Sequence, residues 1–138
     1  MIENHFKAYN EILDKIQAKN MQLIKMKEDW YNISGTNYDD IKVQGVKPLD
    51  IADQLHNIVE KEKSLIGLIN YKEELRRIHE KEISKIHNSK KRNVLTFYYL
   101  DGCSIKEIAG YLEISESYTK KLKKWAVEEF TKKVIMEG

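Results

Sequence analysis

The sequence predicts an all-α fold: a long N-terminal antiparallel helical hairpin followed by a helix-turn-helix domain. Three observations lead there. The 138 residues include six Gly and a single Pro, too few turn formers for the many short strands of a β fold. Lys, Glu, Ile and Leu dominate, and these residues favour helices. Apolar residues recur at alternating spacings of three and four over much of the length, which is the helical period.

The first element is a helix over about residues 3–30. Ile2, Phe6, Tyr9, Leu13, Ile16, Asn20, Leu23, Lys27 and Trp30 keep a four-three spacing, and seven of the nine are apolar or aromatic. That is the seam of a coiled-coil-like helix. A rod of about 40 Å, at roughly 1.5 Å per residue, cannot bury its own stripe and needs a partner. The partner follows Pro48, over about residues 49–87. Ile51, Leu55, Ile58, Glu62, Leu65 and Ile69 repeat the spacing, and Ala52, Val59 and Ile66 widen the stripe. A break is expected near Asn70. Asn20, Lys27 and Glu62 are polar seam positions, which either set register at some cost or lie at a loose edge. Between the rods, residues 31–48 hold Gly35, Gly45, Pro48 and an Asn/Asp cluster. This reads as a long loop, either a flexible connector or a contact surface built on Tyr31, Tyr38 and Ile41. Residues 1–88 thus form a hairpin for oligomerisation or partner contact, and residues 89–138 a separate domain.

Charge separates the two parts. Residues 89–138 carry 10 Lys+Arg against 7 Asp+Glu, while residues 1–88 carry 14 against 15. "SKKRNVLTFYYLDG" predicts a helix with Val94, Leu95, Tyr98 and Tyr99 inward, ending at Asp101-Gly102, where Gly accepts a left-handed conformation. Ser104 and Glu107 form a capping box for the next helix, whose apolar face is Ile105, Ile108, Ala109 and Leu112. Ser115 caps the last helix, and Leu122, Ala126 and Phe130 make its buried stripe. A small residue at Ala109 lets the two helices cross closely, and Leu112 and Ile114 flank a short turn. This is the spacing of a helix-turn-helix, whose second helix enters the DNA major groove. Glu116, Ser117, Tyr118, Lys120, Lys121 and Lys124 are left free to face DNA. Ser104, Lys106, Lys91 and Arg92 complete the expected DNA contacts. Lysines there neutralise phosphates, and Ser117 and Tyr118 can reach base edges.

Residues 92–130, "RNVLTFYYLDGCSIKEIAGYLEISESYTKKLKKWAVEEF", resemble the fourth conserved region of bacterial sigma factors. The likeness rests on Arg92, Val94-Leu95, Tyr98-Tyr99-Leu100, Asp101-Gly102, Glu107-Ile108-Ala109, Ile114-Ser115, Ala126 and Phe130. With the long helices and the "SGTNYD" loop added, nearly the whole chain is similar to the RinA and ArpU-type regulators of late transcription in Gram-positive bacteriophages and prophages. The resemblance implies a sigma region 4-like helix-turn-helix that binds promoter DNA, activates late genes and works with host RNA polymerase. Two positions depart from the pattern. Glu113 stands where Gly is usual, and a positive backbone angle there costs about 1 kcal/mol. Thr119 stands where Val or Ile is usual. Sigma regions 2 and 3 have no counterpart, so the chain is not expected to open promoters alone.

Other chemistry finds little support. His5, His56, His79 and His87 lack a CxxC or HxxxH companion, so no metal ligands and no cofactor are expected. No nucleophile elbow, Walker loop or dinucleotide fingerprint occurs, and the chain reads as a non-enzyme. Glu73, Glu74, Glu80 and Glu82 read as charge partners of Lys72, Arg76, Arg77 and Lys81 on a solvated helix. Cys103 is the sole cysteine, a half-buried structural thiol at a helix start rather than an activated one. The lone cysteine, the polar N-terminus and the lack of a long apolar run point to a cytoplasmic protein without membrane contact. A homodimer through the hairpin is the expected assembly. The rival functions are a small terminase-like DNA-packaging subunit and a module that binds polymerase or a sigma factor without touching DNA.

Overall fold

Short polar side chains set where the C-terminal helices begin. Asn88, Ser104 and Ser115 each hold extended backbone and accept a hydrogen bond from an amide three residues on, at Lys91, Glu107 and Tyr118. These amides have no partner inside a helix, so the caps fix the starts. The structure, a computed structural model, describes residues 1–34 and 48–137. It is all-α, with no strand among the described residues. In chain order the elements are α1 (Ile2–His5), α2 (Lys7–Ser34), α3 (Pro48–Ile83), α4 (Ser89–Leu95), α5 (Ile105–Leu112) and α6 (Glu116–Phe130). α4 continues as a π-helical turn over Thr96–Leu100, and α6 as another over Thr131–Met136. Among the described residues, no helix is long and apolar enough to cross a membrane.

The chain divides into two compact units. One is Met1–Glu11 with Lys72–Gly138, the other Ile12–Tyr71. The first unit therefore reaches beyond the expected boundary at residue 89 and takes in both ends of the long-helix region. The reason is aromatic packing. Phe6 is fully buried, stacks on Tyr99 with ring centroids 5.1 Å apart, and lies 5.4 Å from Phe130. Tyr9, His79, Ile83 and Ile86 are buried in the same unit. Arg76 ties α3 to the end of the π turn. Its guanidinium donates to the Tyr9 hydroxyl (3.1 Å), Asp101 Oδ1 (2.9 Å) and Glu80 Oε1 (2.6 Å). Beside this lies a cluster of Val94, Ile108 and Leu122, one residue each from α4, α5 and α6. Phe97, Tyr98, Cys103, Leu112 and Ile114 pack around it.

The second unit holds the seam residues. Ile12, Leu23 and Ile58 are buried. Two of the expected polar seam positions find each other, with Lys27 Nζ 2.8 Å from Glu62 Oε1. Lys61 donates to Gln22 Oε1 at 3.4 Å, and Trp30 Nε1 to the Ile51 carbonyl at 3.3 Å. Leu55, Val59, Ile66 and Ile69 stay exposed, so much of the expected stripe on α3 is left uncovered by the described residues.

Several boundaries differ from expectation. The first helix is interrupted at Phe6 (φ −98°, ψ 3°), where the ring turns into the aromatic core. The break near Asn70 does not occur. Asn70 faces solvent within a continuous 36-residue α3, and an exposed Asn costs a helix only a few tenths of a kcal/mol, roughly, by propensity. α3 stops at Ile83 rather than about 87 because Ile86 folds inward and Arg92 donates to the Ile86 and His87 carbonyls at 2.6 and 2.7 Å. The expected loop at 31–48, with Gly35, Tyr38, Ile41 and Gly45, lies largely outside the described residues.

Candidate nucleic-acid interface

The turn between α5 and α6 is Glu113-Ile114-Ser115. The Ile114 amide donates to the Ala109 carbonyl (3.1 Å) and that of Glu113 to Gly110 (3.4 Å). This closure requires a left-handed residue at 113, and Glu113 adopts φ 56°, ψ 44°. Its neighbours make the angle tolerable, since Leu112 and Ile114 both pack on the Val94–Ile108–Leu122 cluster. The end of α4 uses the same device with the usual residue. Gly102 has φ 68°, and the Cys103 amide donates to Phe97 O at 2.8 Å. At the start of α5 the capping box is complete. Ser104 Oγ accepts from the Glu107 amide (3.2 Å) and Glu107 Oε1 from the Ser104 amide (3.0 Å). The backbone hydrogen bond at Ser104, then the side-chain one, hold the Glu107 carboxyl below its ordinary range.

α6 buries Thr119, Leu122, Ala126 and Phe130, and this stripe decides what the rest of the helix presents. At roughly 3.6 residues per turn, Ser117, Lys121, Lys124 and Glu128 fall opposite it, and all four are exposed. Lys120 is exposed on one flank. Tyr118 and Trp125 are exposed on the other, their rings meeting edge-on at 6.3 Å. Glu116 is exposed in the first turn, where a carboxylate suits the helix dipole. Lys123 is different. Its ammonium sits 3.8 Å from the centroid of the Tyr98 ring, a cation–π contact that commits it to the fold. Lys120, Lys123 and Lys124 border a cleft of about 490 Å³ with Glu3, Tyr99 and Ile105. Burial, with lesser help from Glu3 and Tyr98, pushes the Tyr99 hydroxyl up to about 12, so it stays protonated.

The remaining expected site residues divide. Lys106 is exposed on α5, and Lys91 is half-buried in the first turn of α4. Ser104 is exposed, but its hydroxyl is engaged by the cap. Arg92 spends its guanidinium on the carbonyls of Ile86 and His87, so it closes the turn between α3 and α4. Thr119 fills its Val/Ile-type position fully buried, its hydroxyl donating to the Ser115 carbonyl at 2.8 Å. Cys103 is half-buried, and burial, then Glu107 and Asp101, raise its thiol above the ordinary range. It is not an activated cysteine.

One grouping in this unit had no sequence signal. His5 Nε2 lies 2.9 and 3.0 Å from the two carboxylate oxygens of Glu82, and His79 Nδ1 lies 2.8 Å from Oε1. Glu82 is therefore not a solvated partner of Lys81, as its neighbours suggested. Burial raises its carboxyl, but the two imidazoles outweigh that and bring it below the ordinary range. Only the fold brings together residues 77 positions apart.

A family model described as "Protein of unknown function (DUF1492)" matches residues 32–131. That span includes all of α4, α5 and α6. No curated protein and no solved structure matches the chain.

Proposed function

We propose that this chain, which belongs to the DUF1492 family, is a sequence-specific DNA-binding transcriptional regulator. In this reading α5 and α6 are the two helices of a sigma region 4-like helix-turn-helix. The protein activates phage or prophage late genes with host RNA polymerase, and is a cytoplasmic binding protein, not an enzyme. One observation carries the reading. The stripe Thr119, Leu122, Ala126 and Phe130 is buried while Ser117, Lys121 and Lys124 stand exposed on the far side of the same helix. A helix anchored by one face, begun by a side-chain cap and reached through a three-residue turn can enter a major groove with its first turns. Lysines on that face neutralise phosphates, while Ser117 and Tyr118, near its start, meet base edges. Lys106 adds a phosphate contact from α5. Lys91 is placed at the margin, and Arg92 serves the turn.

The long helices pair as an antiparallel hairpin in this reading, and the hairpin dimerises the protein. The exposed apolar residues Leu55, Val59 and Ile66, which recur on one face of α3, support that role, since contiguous exposed apolar surface marks interaction sites. A two-fold dimer would set two readers about one helical turn of DNA apart, roughly 34 Å. Footprinting on promoters of the protein's own genome, with and without polymerase, tests the proposal. Two protected half-sites about one turn apart, strengthened by polymerase, are expected. Uniform cleavage at every promoter would contradict it.

A further inference from the structure

We propose that His5, His79 and Glu82 form a binding site for a single zinc ion. One ligand atom from each residue lies within 4.8 Å of the other two. His79 and Glu82 are three residues apart on α3 and so share a face. His5 ends α1, immediately before the interruption at Phe6, and its ring is brought to the same point. Two imidazoles and a carboxylate are the ligand set of an open zinc site, with solvent in the fourth position. Zinc holds such ligands at about 2.0–2.2 Å, which separates tetrahedral ligand atoms by roughly 3.3 Å. Glu82 Oε1 is now 2.9 Å from His5 Nε2 and 2.8 Å from His79 Nδ1. Admitting the ion opens these two pairs by about half an ångström and brings the two imidazole nitrogens, which lie within 4.8 Å of each other, to about the same separation. Each imidazole then presents a lone pair on the coordinating nitrogen and keeps its proton on the other.

The surroundings favour zinc over a harder cation. The Phe6 ring lies 4.7 Å from that of His79, and the Phe130 ring 5.5 Å from that of His5. These rings supply no oxygen ligands, whereas magnesium and calcium take six or more. Access remains on one side, where the His5 and Glu82 side chains are 25% and 21% exposed, whereas that of His79 is 8% exposed. With three protein ligands and solvent in the fourth position the site is open, and its effect on this chain is on stability. The ion would clasp α1 to α3 beside Phe130, the last residue of α6. Since the three ligands converge only in the folded chain, binding would favour folding. The inference is independent of the DNA reading, and either can fail alone.

The test is calorimetric titration of the full-length protein with zinc chloride, paired with thermal unfolding at rising zinc. We expect one ion per chain and a melting temperature that climbs with zinc. Glu82→Gln keeps the side-chain length and loses the anionic oxygen, and it should weaken binding by at least about tenfold. His5→Gln, at a more exposed position, should do the same, and it decides the matter if Glu82→Gln does not fold. No zinc uptake by the wild type would overturn the proposal. So would undiminished uptake by the folded variants, which would place the ion elsewhere.

Discussion

Among the described residues Glu113 is the sole non-glycine with a positive φ. It is tolerated because two hydrogen bonds and the burial of Leu112 and Ile114 depend on it. Glycine reaches this conformation without the Cβ clash, although it loses more freedom on folding. Replacing Glu113 by Gly should therefore raise the stability by up to about 1 kcal/mol, read as a higher urea midpoint at unchanged slope. A lower midpoint would mean that the Glu side chain contributes something the backbone does not. Both departures from the sigma-like pattern, Glu113 and Thr119, were visible in the sequence, because each is a matter of one residue against one backbone position. Thr119 is accommodated by an internal hydrogen bond to Ser115.

At the scale of elements, what could be read in advance was what neighbouring residues determine. The Ser104–Glu107 box, the Ser115 cap, the Gly102 stop and the stripe Leu122–Ala126–Phe130 all follow from spacings of one to four residues, and the structure has them. What could not be read depends on partners far along the chain. The interruption at Phe6 answers to Tyr99 and Phe130, the early end of α3 to Arg92, and the His5–His79–Glu82 group to the approach of α1 to α3. The uninterrupted α3 around Asn70 shows the reverse error, a weak local signal given too much weight. The capping box yields a pH test. The folded state depresses the Glu107 pKa below its usual 4.5, so the contribution of this group is present above that value. It is lost as the pH falls through the depressed pKa. Glu107→Gln can accept the same bond from Ser104 but does not titrate. Wild type should lose more melting temperature than Glu107→Gln between about pH 5 and pH 3. Parallel curves would show that the carboxylate adds nothing to the cap.

For the whole molecule, the division of charge and grease matters more than the net charge of +2. The surplus of lysine sits in the unit that holds α4, α5 and α6, and the exposed apolar stripe sits on α3 in the other. That division fits a protein that assembles with one part and meets a polyanion with the other. The proposed DNA binding by this chain turns on the open face of α6, and the salt dependence of that binding tests it most directly. Fluorescence anisotropy on a duplex from the protein's own promoters should give a logarithmic affinity that falls linearly with the logarithm of salt concentration. Lys120→Ala with Lys121→Ala should weaken binding and flatten that slope by roughly 2, about one for each lost phosphate contact. An unchanged affinity and slope in the folded double variant would contradict the claim that this face meets DNA.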